Sequence, residues 1–183
     1  MSQVASPSDT LSQRPASHKS PLAVQGGATP AGEFLTFRLG AEEYGIDILR
    51  VQEIRSYQAP ARIAHAPPFV KGVINLRGAI IPIVDLRMKM NCATAAYDDS
   101  TVVVVLNVRG KVVGAVVDSV SDVLELGADE IKPIPQMDCA IDADCITGMG
   151  SISVDGRERR LILVDIEVLM GSVDMGLVEH PAP

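Results

Sequence analysis

The sequence predicts a mainly β protein in which two small five-stranded barrels share one hydrophobic core, with short helices beside them. Short runs of Val, Ile and Leu are separated by turns centred on single glycines, a pattern typical of β-hairpins. The order of these runs occurs twice along the chain, and each copy supplies about five strands. So many strands would leave too many free edges in a flat sheet of this length, which favours closure into barrels. Aromatic residues make up only 3% of the chain, so the core is expected to be aliphatic.

The two ends of the chain are predicted to lie outside this fold. Residues 1–32 are mostly Ser, Ala, Pro, Gln, Gly and Thr without hydrophobic periodicity. Such a segment buries too little apolar surface to offset its ordering entropy, so it is expected to be a disordered tail. Residues 172–183 are expected to be a C-terminal tail. The domain then spans residues 33–171, with the first barrel mainly in 33–91 and the second mainly in 100–171. Exchange of strands between the barrels is left open.

Four hairpins account for most of the predicted strands. They are 34–39 with 44–48, 73–84 turning at Arg77-Gly78, 102–117 turning at 109–111, and 151–164 turning at Asp155-Gly156. The third hairpin is almost wholly β-branched, which predicts strands buried on both faces. The Asp-Gly pair of the fourth is the strongest short hairpin signal in the chain.

An internal duplication relates the two barrels. The matched pairs are Gly45 with Gly114, Glu53 with Asp122, Gly72 with Gly148, and Asp85 with Asp165. The separation grows from 69 residues at the first glycine pair to 76 at the second and 80 at the aspartates, which places small insertions in loops of the second copy. Chance similarity between Val-rich strands is the competing explanation.

Two local patterns predict short helices. Ile48, Val51 and Ile54 recur every three residues, so residues 48–55 are expected to form a short amphipathic helix that caps a barrel. The aspartate that ends the last strand of each copy suits a helix N-cap, where its carboxylate accepts hydrogen bonds from free backbone amides.

Charge and composition exclude several classes of partner. The formal net charge is −7, from 16 basic and 23 acidic residues, so a nucleic-acid backbone is not an expected partner. Residues 33–90 carry +2 and residues 91–183 carry −10, so the two halves present opposite charge. The longest strongly apolar stretch is 102–106, far short of a membrane-spanning helix. Because the N-terminal segment lacks the continuous apolar block of a secretory signal, we expect a cytoplasmic protein without direct membrane insertion.

No pattern of catalytic or metal-binding residues stands out. His65 lies in a proline-bounded link without a neighbouring acid or thiol. Cys139 and Cys145 are separated by five residues and lack a second ligand pair, so they and Cys92 are expected to be reduced thiols. The acidic residues Asp138, Asp142 and Asp144 do not have calcium-loop spacing. We therefore expect no catalytic residue, cofactor or metal, with a small-ligand-binding or thiol enzyme on a double barrel as the alternative from another class.

Two features point instead to an interaction module. One is segment 48–55, whose charged residues lie between the apolar ones. The other is Arg77 in the hairpin tip Asn75-Leu76-Arg77-Gly78. Turn geometry explains Gly78 but does not require a long cation beside it. An arginine on a rigid hairpin suits bidentate contact with a partner's carboxylate, although a solvated turn arginine is a competing explanation.

These residues resemble the CheW family of bacterial chemotaxis coupling proteins. The resemblance is carried by segments 43–48, 51–55, 70–87, 112–124 and 161–166. It covers about residues 33–171, and its most specific part runs from Lys71-Gly72 to Asp85-Leu86. It implies a non-enzymatic adaptor with two SH3-like five-stranded barrels. Such an adaptor joins the cytoplasmic tips of chemoreceptors to the histidine kinase CheA, whose regulatory domain has the same fold, in membrane-associated arrays.

The resemblance also implies contact residues. Those matching the family's receptor or kinase contacts are Val51, Glu53, Ile54, Arg77 and Val102. The link 131–137 matches a second kinase contact that extends arrays into rings, and it contains Lys132 and Met137. The alternative within the fold is a coupling domain of another CheA-type pathway, including one fused to a receiver. Only twelve residues follow Gly171, too few for a receiver domain.

Overall fold

The structure is a computed structural model that describes residues 31–92, 96–134 and 143–171. Its strands in the first copy are β1 (Gly32–Leu39), β2 (Glu42–Asp47), β3 (Val51–Ser56), β4 (Val70–Leu76) and β5 (Ala79–Asp85). Those in the second are β6 (Val102–Val108), β7 (Lys111–Val117), β8 (Ser119–Leu126), β9 (Ile131–Lys132), β10 (Ile146–Val154) and β11 (Arg157–Val164). Helix α1 (Leu86–Lys89) follows β5 and helix α2 (Ile166–Met170) follows β11, and 3-10 turns lie at Ile48–Arg50 and Ala143–Cys145.

The strands form two sheets, and each sheet draws on both copies of the duplication. The six-stranded sheet has the order β8-β1-β2-β11-β10-β9, and the five-stranded sheet has the order β3-β6-β7-β5-β4. The β1–β2 hairpin of the first copy thus lies in the sheet built mainly by the second, and the β6–β7 hairpin lies in the other. Parallel pairing of β2 with β11 and of β5 with β7 joins each exchanged hairpin to its host sheet.

Both sheets close in the same way, because the chain that follows one edge strand pairs with the strand at the opposite edge. In the six-stranded sheet, the chain leaves the edge strand β8 and pairs through β9 with β10 at the opposite side. In the five-stranded sheet, the chain leaves β3 and forms a bridge at Ala61 with Val73 of β4, with two backbone hydrogen bonds of 2.9 Å. The edge strand therefore folds back onto the far strand in each barrel, which reduces the exposed edges.

The duplicated glycines occupy equivalent places. Gly45 and Gly114 lie where the parallel strands pair. A Cβ atom would come within 2.9 Å of Leu163 at the first and 2.5 Å of Ile83 at the second. Gly72 and Gly148 both lie at register shifts in the antiparallel pairs. The sequence duplication is therefore a duplication in space as well.

Three groups of apolar side chains form the core. The largest lies between the sheets and includes Leu35, Val84, Val104, Leu106 and Ile166. A second fills the five-stranded barrel with Leu76, Ile81, Ile83, Val103, Val105 and Val116. A third fills the six-stranded barrel with Phe34, Leu126, Leu161 and Leu163. The prediction of a mainly β fold with two barrels around a shared aliphatic core is confirmed. Strands β6 and β7 are buried on both faces for most of their length, as predicted.

One predicted element is wrong. Residues 48–55 do not form a helix, because the 3-10 turn Ile48–Arg50 leads directly into strand β3. A β-bulge between Val51 and Glu53 adds one residue to the strand. The turn and the bulge together reproduce the three-residue apolar spacing that a helix would show. The two-residue strand β9 is a further element that the hydrophobic pattern does not predict.

The predicted helix caps are confirmed. The Asp85 carboxylate accepts a hydrogen bond of 3.0 Å from the Arg87 amide at the start of α1. The Asp165 carboxylate accepts from the Glu167 and Val168 amides at 2.9 and 3.3 Å at the start of α2. In the described ranges neither helix, nor any other, has the length and apolarity needed to cross a membrane. The predicted tails, residues 1–32 and 172–183, lie outside the described residues apart from positions 31 and 32.

Candidate partner-binding site

Strand β3 presents different side chains on its two faces. Val51 and Ile54 pair in register with Leu106 and Val104, which belong to the core between the sheets. Glu53 pairs with Val105, which belongs to the interior of the five-stranded barrel. The bulge thus turns Val51 and Ile54 to one face and Glu53 to the other. Val51 is half-buried and Ile54 is exposed at the sheet edge.

Arg77 reaches Glu53 from the neighbouring hairpin. Its Nη2 atom lies 2.6 Å from Oε2 of Glu53. The Arg77 side chain is 75% exposed, whereas Glu53 is 22% exposed. Arg55, on the same strand, approaches the other Glu53 oxygen at 3.4 Å. Within the described residues Glu53 therefore pairs with two arginines, and most of the Arg77 side chain stays exposed to solvent.

The backbone of the β4–β5 turn explains how Arg77 is presented. Arg77 and Gly78 both have positive φ angles, of 53° and 87°, as in the tight turn that suits twisted hairpins. The Asn75 side chain accepts a 2.9 Å hydrogen bond from the Gly78 amide. The same Asn-x-Arg-Gly turn occurs at Asn107 to Gly110, where Arg109 has a φ of 50°. The turn itself is thus repeated, and the ion pair with Glu53 distinguishes Arg77.

The other residues implied by the resemblance are distributed as follows. Val102 pairs with Ser56 at the far end of β3, so it lies on the same strand pair as Glu53. Lys132 is exposed on β9, in the other sheet. Met137 lies outside the described residues. The structure brings Val51, Glu53, Ile54 and Arg77 together around β3, with Val102 close in register and Lys132 elsewhere.

The structure contains a buried ionic cluster beside β5 that the sequence analysis does not predict. Arg87 and Asp85 are fully buried, and the guanidinium donates to both Asp85 carboxylate oxygens at 3.0 and 2.9 Å. It also donates to Asp118 at 2.9 Å and to the carbonyl of Ala96. The Asp118 carboxylate accepts in turn from the Gly40 amide at 2.7 Å. Because Gly40 follows β1 and Asp85 ends β5, this cluster ties the two sheets together.

Tyr97 covers the cluster. Its hydroxyl donates a 2.7 Å hydrogen bond to Asp85, and the Arg87 guanidinium lies 4.7 Å from its ring centroid. Tyr57 stacks on the same ring at 4.4 Å, and its backbone amide bonds to Thr101 at 3.2 Å, just beyond the end of β3. Asp85 was predicted as a helix cap. An arginine two residues after a capping aspartate is the signal that points to the rest of the cluster.

The electrostatics of the cluster favour its charged form. Burial raises the pKa of the Asp85 carboxyl, but hydrogen bonds from Arg87 and Tyr97 outweigh burial and bring that pKa below its usual value. Burial lowers the pKa of Arg87, but Asp85 and Asp118 more than compensate and raise it. Burial and the hydrogen bond to Asp85 raise the pKa of Tyr97. The cluster is thus an ionised, fully paired structural element.

Within the described part of the chain, the residues considered for enzyme chemistry do not assemble into a site. Cys92 is half-buried, and burial is the main cause that raises the pKa of its thiol, so it is not activated. Cys145 is buried, and Cys139 lies outside the described residues, as do Asp138 and Asp142. His65 is exposed in its link. Among the described residues, no group of three or more His, Cys, Asp or Glu is arranged to hold a metal ion.

Comparison of the sequence with known families and proteins gives a consistent result. The family model described as "CheW-like domain" matches residues 33–174. The chemotaxis protein CheW of Klebsiella aerogenes is 53% identical over 156 residues, covering 85% of this chain and 92% of that protein. The chemotaxis protein CheW of Bacillus subtilis is 33% identical over 138 residues, covering 75% of this chain and 86% of that protein.

Comparison of the fold agrees with the sequence comparison. The crystal structure of the scaffolding protein TtCheW from Thermoanaerobacter tengcongensis is similar, with a TM-score of 0.69 at 26% sequence identity. The similarity covers 79% of this chain and 95% of that one.

Proposed function

The chain belongs to the CheW-like domain family of non-catalytic chemotaxis scaffold proteins, and we propose that it couples chemoreceptors to the histidine kinase CheA. In this role it binds the cytoplasmic tips of the receptors and the regulatory domain of the kinase. It is recruited from the cytoplasm to receptor arrays at the membrane. Its partners are proteins, and no cofactor takes part.

The observation that carries the proposal is the ion pair between Arg77 and Glu53. A hairpin tip fixed by two apolar strands loses little further entropy when it docks, so its arginine is well suited to protein recognition. The exposed Ile54 and the half-buried Val51 lie on the same strand as Glu53 and supply apolar area. Because β3 is an edge strand, a partner that docks along it can contact the arginine on one face and these aliphatic side chains on the other, a mixture typical of protein interfaces.

The form of β3 also favours docking through side chains. An edge strand open to backbone pairing is usually flat and uncharged, whereas β3 has a bulge and carries Glu53 and Arg55. Addition of a partner strand along this edge is therefore disfavoured. We expect the receptor to contact the side chains of β3 and the β4–β5 turn.

The proposal is tested by co-sedimentation of the full chain with receptor-containing membranes, with and without CheA. The wild-type chain should sediment with the membranes and increase kinase recruitment. Arg77→Glu should weaken receptor binding at least tenfold, since it opposes Glu53 and any acidic partner group. Arg109→Glu is the matched control, because it makes the same substitution in the other Asn-x-Arg-Gly turn, Asn107 to Gly110. Equal losses for the two variants, or no membrane binding by the wild-type chain, would count against the proposal.

A second surface is proposed for ring formation. Lys132 is exposed on β9, in the sheet that does not contain β3 and Arg77. Lys132→Glu should weaken the assembly of extended arrays with CheA more than binary binding to the kinase. Array formation is followed by electron microscopy and binary binding by titration. Equal loss in both assays would show that the two contacts share one surface.

Met137 is proposed for the same contact and is tested by Met137→Asp in the same pair of assays.

A further inference from the structure

The six-stranded sheet contains an arginine held by two carboxylates. Arg159 of β11 pairs with Glu43 of β2 and with Asp122 of β8, the latter through contacts of 3.0 and 3.1 Å. The buried Thr36 donates a 2.6 Å hydrogen bond to Asp122. These contacts leave Arg159 only 25% exposed. The guanidinium is therefore shared between two acids on two different strands.

The duplication identifies the equivalent positions in the five-stranded barrel. Glu53 of β3 matches Asp122 of β8, so the first acid is kept. The position of Arg159, six residues before the capping aspartate, is taken by Ala79. Arg77 stands two residues earlier and forms the ion pair with Glu53. Both barrels thus pair an arginine of the last hairpin with the acid of the edge strand.

The second acid is missing from the five-stranded barrel. Glu43 stands two residues before Gly45, and the residue two before Gly114 is Val112. Val112 is half-buried and packs against the interior of its barrel. Among the described residues, Arg77 makes one ion pair, with Glu53, and it is 75% exposed, against 25% for Arg159. The site on the five-stranded barrel resembles the other one with a carboxylate removed.

We propose that the partner supplies the missing carboxylate, an Asp or Glu side chain that binds Arg77 at the place which Glu43 takes beside Arg159. This inference rests on the proposed function and specifies the chemistry of the same site. A guanidinium has five donors in a planar fork and can bind two carboxylates along different edges. Glu53 then orients the fork, and the receptor's acidic residue completes it.

The test installs the missing acid in the chain itself. Val112→Glu places a carboxylate at the position matched to Glu43, where it competes with the partner for Arg77. Val112→Gln is the control, because it has the same size and polarity without the charge. Binding to receptor-containing membranes should be roughly tenfold weaker for Val112→Glu than for Val112→Gln, the effect of losing one hydrogen-bonded charge contact. In an Arg77→Gln background the two substitutions should differ by less than twofold.

A second arm does not depend on Val112. Each Asp and Glu in the receptor tip is replaced by Lys and tested against the Arg77→Glu chain. One reversal should restore binding to within about threefold of the wild-type pair. The inference is overturned if Val112→Glu and Val112→Gln bind alike, or, where Val112→Glu does not fold, if no reversal restores binding. Failure of the wild-type chain to bind membranes would instead reject the proposed function, so the two failures are distinct.

Discussion

The two ends of the shared core are built from the same parts but differ in their exposure. At each end a strand runs into a capping aspartate and a short helix, Asp85 with α1 and Asp165 with α2. The second residue of each helix forms an ion pair with the turn that follows the exchanged hairpin. Arg87 pairs with Asp118 at 2.9 Å, and Glu167 pairs with Arg50 at 2.8 Å. The signs of the two pairs are reversed.

The surroundings of these pairs differ more than their geometry. Arg87 is fully buried under Ala96 and Tyr97, which belong to the connection between the two copies. Arg50 and Glu167 are 43% and 26% exposed. A charge without access to water must be fully paired, whereas an exposed pair exchanges freely with solvent. The first end should therefore determine stability, and the second should contribute little to it.

The largest effect is expected when the buried cluster is broken. Arg87→Met keeps the length of the side chain but leaves Asp85 and Asp118 without their cation. Removing one partner of a buried pair costs about 3–5 kcal/mol because a buried charge is left uncompensated. Urea unfolding of the variant should show a loss of this size. A loss below about 1 kcal/mol would mean that water enters the cluster and that the two ends are alike.

Lowering the pH should reduce the difference in stability between the wild-type chain and Arg87→Met. The pKa of Asp85 is held below its usual value by Arg87 and Tyr97. A carboxyl whose pKa is lowered by folding contributes stability above its unfolded pKa of about 4, and that stability is lost as the pH falls through the folded pKa. The gap in stability between the wild-type chain and Arg87→Met should thus narrow by about 1–2 kcal/mol between pH 6 and pH 3. Unfolding curves at several pH values provide the measurement, and a constant gap would contradict the assignment.

The helix cap at the exposed end should have a smaller effect. Asp165→Ala removes the acceptor of the Glu167 and Val168 amides. The loss of such a cap costs about 1 kcal/mol, and Asp165→Asn should recover most of it because the amide oxygen still accepts. Thermal unfolding of the three proteins compares them directly. A similar loss in both variants would show that the charge of Asp165, rather than its acceptor, is what matters.

The sequence alone predicts much of the fold because the hairpins carry local signals. The turns at Arg77-Gly78 and Asp155-Gly156, and the glycines shared by both copies, follow from backbone geometry that a single residue can indicate. The prediction of a helix at residues 48–55 is wrong because a β-bulge and a 3-10 turn produce the apolar spacing of a helix. The sequence leaves exchange of the hairpins open, because exchange depends on which distant strands pair. For the same reason the contacts of Arg77 with Glu53 and of Arg87 with Asp118 are visible only in three dimensions.

The smallest effect is expected for the exposed pair itself. Glu167→Gln removes the charge that meets Arg50 and keeps the shape and helical position of the side chain. Exposed ion pairs contribute about 0.2–1 kcal/mol, and salt screens them, so the loss should be at most about 0.5 kcal/mol and should vanish in 1 M NaCl. Chemical unfolding at low and high salt measures both parts of this prediction. The wild-type and Arg87→Met chains serve as the reference, because the deficit of a buried pair should persist in high salt. A salt-independent loss of more than about 1.5 kcal/mol for Glu167→Gln would contradict this prediction. It would show that the α2 end is shielded from water in solution, as the α1 end is by Tyr97. The contrast between the two ends would then no longer hold.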